Sequence, residues 1–326
     1  MTPPKVLRAN LIRTIRSEKL FTKDDHVLVA VSGGQDSLHL LKWLTEGTLP
    51  VDIQPTVSAG YVNHQLRTDA IVEEALVARV FARTPHLENK LMTRLEWLQQ
   101  PSSGLEEVAR EKRYAQLMAM AEQVGANLIV TAHHQDDQVE TILYKLARGS
   151  RLSQLKGMAD KQPFLGGVPI VRPFLNLPKG ALAKLVQEPL DEWIEDYTNK
   201  DETYARNHMR QTVVPALTAI NQQANEHIVA FAHQLAGLEK LATGALKIHV
   251  QALEMGRLDW QADDDVLLLV LQSWLAKKMM FNVKNRQLEQ AVQLMRNPNV
   301  NKGSIALGGQ LYLERIDKQL QLVKKS

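Results

Sequence analysis

Five apolar residues in a row, Val27-Leu28-Val29-Ala30-Val31, run directly into Ser32-Gly33-Gly34-Gln35-Asp36-Ser37 and then Leu38-His39-Leu40-Leu41. An uninterrupted apolar run of this length is the pattern of a strand buried on both faces of a parallel sheet. The glycine-rich hexapeptide turns the chain, and Leu38, Leu41, Trp43 and Leu44 form the apolar stripe of a helix. Strand, tight turn and helix N-terminus together gather free backbone N–H groups and the positive end of a helix dipole around one point, an anion cradle. Glycine is required there because a Cβ blocks close approach of a phosphate and disfavours positive φ. The Gly-Lys-Ser/Thr ending of a Walker A loop is missing, and no third glycine completes a dinucleotide fingerprint. A plain βα turn, with Asp36 or Ser37 as helix cap, uses the same residues. The rest of the chain has to discriminate.

The pattern that follows alternates strands and helices. Thr56 to Val62 reads as a second strand, running into Asn63-His64-Gln65-Leu66-Arg67. Thr68 or Asp69 then caps a helix over Ala70 to Phe81. A weaker strand is expected near His86 to Met92, and a long helix from about Leu105 to Val124 stops at Gly125. Asn127 to Thr131 is another short buried strand, with a helix over Asp136 to Ala147. This alternation predicts an α/β fold with a doubly wound, mostly parallel sheet, whose ligands bind outside the carboxyl ends of the strands. Residues 149–178 are loop-rich, and a helical pattern resumes at Lys179 to Gln187. Past Pro215 the composition turns helical: Ala219 to His249, Asp263 to Met280 and Arg286 to Arg296. Two short β-like runs, Ser304 to Leu307 and Gln310 to Leu313, are joined by Gly308-Gly309 as a hairpin. Residues 1–217 are read as the catalytic domain and 218–326 as a smaller, mainly helical one, joined by a long helix.

Composition narrows the chemistry. The 326 residues include no cysteine, which removes disulfides, thiolate metal sites, iron–sulfur ligation and cysteine nucleophiles. A net charge of +3 permits an RNA partner without demanding one. No apolar run approaches the ~18 residues that span a bilayer. The amphipathic segment Met1 to Arg16 lacks the apolar core of a signal peptide, so a cytoplasmic protein with no membrane association is expected.

Ala132-His133-His134-Gln135-Asp136-Asp137-Gln138-Val139-Glu140-Thr141 is the second strong signal. With a helix from Asp136, Asp137 and Glu140 share a face at i, i+3 while Asp136 caps. Two carboxylates opposite a phosphate cradle suit magnesium or a substrate ammonium group; helix capping explains the same residues. His133, His134 and Asp137 also permit a metal-hydrolase reading. Arg110 and Arg113, at i, i+3 on the Leu105–Val124 helix, suit bidentate recognition of phosphate or carboxylate, or an ordinary solvated face. In the C-terminal part, Lys277, Lys278, Lys284, Arg286 and Arg296 lie near Trp274 and Phe281, an arrangement shared by RNA-binding faces and by ordinary basic surface over an aromatic core.

The hexapeptide Ser-Gly-Gly-x-Asp-Ser resembles the PP-loop of the ATP pyrophosphatases. Ser32 to Ser37, Asn63 to Arg67, Ala109 to Tyr114 and Thr131 to Thr141 resemble, in order and spacing, the tRNA(Ile)-lysidine synthases. So do Ile170-Val171-Arg172-Pro173-Phe174-Leu175, Glu195 to Asn199, and Tyr204-Ala205-Arg206-Asn207-His208-Met209-Arg210. The last group separates this family from other PP-loop enzymes. Asn63 stands where many relatives have Asp, and Arg151 and Gln154 stand where glycine is usual.

The resemblance implies a two-step reaction. ATP adenylates the C2 oxygen of the wobble cytidine in a CAU-anticodon tRNA(Ile), and the ε-amine of free L-lysine then displaces AMP to give lysidine. Ser32, Gly33, Gly34, Gln35 and Ser37 are implied to hold pyrophosphate, with Asp36 as the Mg2+ ligand. Asp137 and Glu140 are implied to hold lysine, and Arg113 its carboxylate or the AMP phosphate. His64 and His133 are assigned to ATP, and Arg67, Arg110, Arg206, Asn207 and Arg210 to substrate. Whether Lys42 or Lys112 also reaches phosphate is open, as is the oligomeric state, a homodimer included. Competing readings are a cytidine thiolase, which the absence of cysteine disfavours, and an amide-forming PP-loop synthetase, which leaves Tyr204 to Arg210 unexplained. A metal-dependent phosphohydrolase and a non-catalytic tRNA-binding module remain as other classes.

Overall fold

A computed structural model of the chain describes residues 3–65, 70–97, 104–150, 152–164, 167–195, 205–280 and 283–324. The first helix, α1 (Pro4–Ser17), starts on a proline at its first turn and buries Leu7, Leu11 and Ile15, one per turn. The central sheet is built from β1 (His26–Val31), β2 (Thr56–Asn63), β3 (Lys90–Arg94), β4 (Leu128–Val130), β5 (Lys161–Gln162) and β6 (Ile170–Val171). Helices α2 (Gln35–Thr45), α3 (Ala70–Arg83), α4 (Leu105–Val124) and α5 (Gln135–Ala147) connect the early strands. The strand order is β3-β2-β1-β4-β6-β5, all parallel except the edge strand β5.

Period-two alternation along β1 sorts the helices onto two faces. Val27, Val29 and Val31 face a core shared with Leu38, Leu41, Trp43, Leu76 and Phe81 of α2 and α3. Leu28 points the other way, packing with Ile129, Tyr114, Leu117 and Ala121 under α4. The sheet is therefore wound on both sides, as its apolar runs predict.

Several expectations shift. Lys179 to Gln187 is not a helix of its predicted length but a single 3₁₀ segment, Lys179–Lys184. Gly180 weakens helical propensity near the start of the segment, while Ala181, Leu182, Leu185 and Val186 are buried against the core. The helix after β4 begins at Gln135, with His134 as the residue before it and Asp137 Oδ2 accepting the His134 N–H, so Asp136 is not its cap. The caps proposed at Thr68 and Asp69 lie outside the described residues.

Chain contacts divide the molecule into one unit of residues 1–148 and 154–232, and a second of 149–153 and 233–326. The first unit ends with α6 (Ala205–His208), a π-helical turn Met209–Val213, α7 (Val214–Ile220) and the start of α8 (Ala224–Glu254). The second packs α8, α9 (Asp264–Lys277) and α10 (Asn285–Arg296) with a sheet of β7 (Lys302–Gly308), β8 (Leu311–Ile316) and β9 (Gln319–Lys324). The hairpin expected around Gly308-Gly309 is present, and β9 extends it to three antiparallel strands. Trp274 is a core residue, 3% exposed, so it offers no stacking platform. Lys277 pairs with Glu254 and Arg296 with Asp264, whereas Lys278, Lys284 and Arg286 are exposed.

Candidate active site

The strand order reverses between β1 and β4, the position where open α/β sheets open a crevice at the carboxyl edge. A cleft of about 160 Å³ lies there, lined by Ser32, Asp36, Ser37, Val62, Arg113, Thr131, His133 and Asp137 among others. Residues from the two strongest sequence signals thus meet in one place.

The loop after β1 is held by its own hydroxyls. Ser37 Oγ donates to the Gly34 carbonyl at 2.9 Å and accepts the Ser32 N–H at 3.1 Å, with Ser32 Oγ 3.2 Å away. Ser37 is buried and shapes the turn, while Ser32 is exposed and Gln35 half-buried at the first position of α2. Gly33 has φ +71°, and a Cβ there meets Glu73 Cγ at 2.9 Å. The Gly33 carbonyl accepts the Ile194 N–H at 3.0 Å, which fixes the outer side of the loop.

Asp36 faces an imidazole and an ammonium group: His134 Nε2 lies 3.5 Å and Lys179 Nζ 3.6 Å from its Oδ2. Burial pushes the Asp36 carboxyl up, but the His134 hydrogen bond and the charges of His134 and Lys179 outweigh it and hold the group below its usual range. His134 is buried and is also 3.4 Å from Asp137 Oδ2. Burial lowers its pKa, yet Asp36 and Asp137 together bring it above the ordinary imidazole value. Its backbone N–H donates to Asp137 Oδ2 at 3.0 Å, so Asp137 both closes the start of α5 and faces the cleft.

Asp137 and Glu140 do share a face, and that face meets Arg210. Arg210 Nε donates to Glu140 Oε1 at 2.6 Å, and Nη2 to Glu140 Oε2 at 2.9 Å and Asp137 Oδ1 at 3.3 Å. Glu140 is 1% exposed, so the bidentate fork neutralises a carboxylate otherwise costly to bury. A chain of contacts, Asp36–His134–Asp137–Arg210–Glu140, connects the start of α2 to the π-helical turn. π-turns of this kind recur at functional sites.

His133 is engaged differently, its Nδ1 lying 2.8 Å from Thr131 Oγ1. Burial first, then Arg172, Arg113 and Arg110, hold it well below the usual imidazole value against the pull of Asp137, so it stays neutral. No group of three His, Cys, Asp or Glu side chains among the described residues is placed to hold a metal ion, so His133, His134 and Asp137 do not converge as a ligand set. Arg113 lines the cleft and Arg110 is exposed, each guanidinium 5.3 Å from the Tyr114 ring centroid.

His64 and Asn207 are not among the residues that line the cleft. His64 follows β2, outside the cleft lining, where its carbonyl accepts the Trp97 indole N–H at 2.7 Å. Asn207 is half-buried on α6; Arg67, and the side chain of Arg206, lie outside the described residues. Lys42 donates to the Pro189 carbonyl and Lys112 to that of Glu96, both at 3.0 Å. Asn63 donates to Glu74 Oε2 at 2.8 Å, a contact an aspartate could make only when protonated.

Sequence reasoning missed three residues. His134 entered it only as a metal ligand, Lys179 only as a helix start, and Arg172 only as part of a motif. Arg172, 2% exposed, donates to the Ala159 carbonyl at 2.8 Å and acts most strongly of the three arginines that lower the His133 pKa. An arginine directly after the apolar Ile170-Val171 was the available signal.

A family profile described as a PP-loop domain matches residues 7–217. A tRNA(Ile)-lysidine synthase from Nostoc sp. is 33% identical over 88% of this chain and 83% of its own length. One from Lactiplantibacillus plantarum is 37% identical over 69% of this chain, and one from Streptococcus thermophilus 32% over 90%. The chain spans about half of the former and 65% of the latter. Among solved structures, the U34-tRNA thiolase NcsA from Methanococcus maripaludis, described with its [4Fe-4S] cluster, superposes with a TM-score of 0.52. That alignment covers 71% of this chain and 78% of NcsA at 14% identity, a likeness of fold.

Proposed function

Because the chain belongs to the PP-loop domain family and, within it, to the tRNA(Ile)-lysidine synthases, we propose that it ligates lysine to C2 of the wobble cytidine of a CAU-anticodon tRNA(Ile), with ATP cleaved to AMP and pyrophosphate. The observation that carries this reading is the meeting of the Ser32–Ser37 loop with the Asp137–Glu140–Arg210 cluster at one sheet edge. An ATP-cleaving amino-acid ligase needs an anion cradle beside an acidic pocket for an amine.

In the first step the cytidine O2 attacks the α-phosphorus, and the bond to the bridging β-oxygen breaks with its electron pair leaving on pyrophosphate. Backbone N–H groups of Gly33 to Ser37 and the N-terminus of α2 receive that developing charge. Magnesium fits the site as an ion that takes one or two carboxylates and fills its octahedron with water and phosphate oxygens. Asp36 is the residue to hold it, being ionised and facing the cleft. When bound, the ion neutralises charge on the phosphates.

In the second step lysine reaches C2 as the free amine and AMP departs. Asp137 is the cleft-facing carboxylate for the ammonium group; Glu140, fully buried beneath Arg210, acts through that arginine. Arg113, with Arg110 beside it, takes the lysine carboxylate or the AMP phosphate, and His133, held neutral, is a hydrogen-bonding partner for nucleotide or cytidine. Exposed Lys278, Lys284 and Arg286 in the second unit are suited to tRNA phosphate contact. The reading is tested by release of AMP and pyrophosphate that depends on tRNA(Ile). Loss of that dependence, or ATP cleavage to ADP, contradicts it.

A further inference from the structure

The loop after β1 has no lysine of its own, unlike the nucleotide loops that end in Gly-Lys-Ser/Thr. We propose that Lys179 supplies this missing cation from a distant segment and contacts the β,γ-phosphates of ATP as they leave as pyrophosphate. The assignment rests on reading the loop as an ATP cradle.

Three observations carry it. Lys179 Nζ stands 3.6 Å from Asp36 Oδ2, and Asp36 lines the cleft with Ser32 and Ser37, so the ammonium is already at the mouth of the cradle. Its side chain is 52% exposed and Asp36 is its one ion-pair partner among the described residues, so the head can turn toward a phosphate. Its backbone is nonetheless pinned: Leu177 O accepts the Gln135 N–H at the start of α5, Phe174 packs on Trp43 of α2 at 5.4 Å, and Ala181 and Leu182 are buried. A long flexible stem on a fixed base over an anion site is the arrangement by which lysine serves as a mobile point charge for phosphate. Lys42, Lys112 and Lys145, the lysines of α2, α4 and α5, each donate to a backbone carbonyl.

The test compares Lys179→Met and Lys179→Arg in the full chain by calorimetry, with inorganic pyrophosphate plus magnesium and, separately, AMP as probes. Loss of one charge-assisted contact is expected to weaken pyrophosphate binding about tenfold in Lys179→Met, with AMP affinity within about twofold. Lys179→Arg, which keeps the charge, should recover most of the loss. In steady state, turnover of ATP falls in Lys179→Met while the KM for lysine stays put. Unchanged pyrophosphate affinity in Lys179→Met overturns the assignment, as does an equal loss of AMP affinity, which shows that Lys179 does not act on the β,γ-phosphates in particular. A wild-type chain that binds pyrophosphate through Lys179 yet forms no lysidine leaves the assignment standing and overturns the substrate reading alone.

Discussion

Arg210 meets the buried carboxylate of Glu140 through two parallel contacts, Nε to Oε1 at 2.6 Å and Nη2 to Oε2 at 2.9 Å. The same guanidinium reaches Asp137, so the cation that the acidic pair of α5 attracts in this chain is one of its own.

Arg210→Ala leaves Glu140 buried without its counter-charge. Breaking such a pair costs about 3–5 kcal/mol when both partners are buried; with the Arg210 side chain 37% exposed, about 2 kcal/mol is expected. Chemical denaturation of Arg210→Ala, Glu140→Gln and the double variant measures the coupling. Additive single effects would show that the pair contributes nothing.

Gly33→Ala forces a Cβ onto a residue at φ +71° and into Glu73 Cγ at 2.9 Å. The expected cost is about 1–2 kcal/mol of stability. ATP binding should suffer more than the fold, because the loop backbone itself is the ligand. Nucleotide affinity and the thermal midpoint measured on the same sample separate the two, and an unaltered affinity contradicts the cradle.

Arg172→Met removes a cation that helps hold His133 below its usual pKa, second in effect to burial among the lowering causes. The imidazole of His133 should therefore titrate at higher pH in the variant, as read from its ring proton shifts. An unmoved titration means that Arg172 does not act on the site.

Asp25 tests linkage away from the cleft. Burial raises its pKa, but hydrogen bonds from Asn127 Nδ2 (2.7 Å), the Thr22 N–H (2.7 Å) and Thr22 Oγ1 (2.9 Å) prevail and hold it below the normal carboxylate value. With the folded pKa depressed, the unfolded chain binds the proton more readily, so stability from this group is present above about pH 4 and lost as pH falls through the folded value. Asp25→Asn should cost about 1 kcal/mol at neutral pH, and its thermal midpoint should approach the wild type's under acid. A constant gap at all pH values contradicts this.

Much of this arrangement was legible in the sequence because local pattern and tertiary placement agree. The run Val27 to Val31 needs a sheet with two covered faces, and Gly33-Gly34 needs a sharp exit, so β1, the loop and α2 follow from local sequence pattern. β5 and β6 did not, since two residues each are too few to show a period. The sequence pairs Asp137 with Glu140 by helical spacing, but not Arg210 with either, since 70 residues separate Arg210 from Glu140. Lys179 is distant from Asp36 in the same way and is brought near by the packing of Phe174 on Trp43. The strand Gln319–Lys324 shows only as a short Gln-Leu-Gln-Leu alternation, a weaker signal than the glycines of the hairpin before it.

The most direct test of the central claim is mass spectrometry of the wobble nucleoside after incubating the purified chain with ATP, magnesium, lysine and a CAU-anticodon tRNA(Ile) transcript. The account predicts lysidine only when ATP and lysine are both present, and a loss of product in Asp36→Ala and Asp137→Ala. A folded chain that leaves the cytidine unmodified and releases no AMP contradicts it.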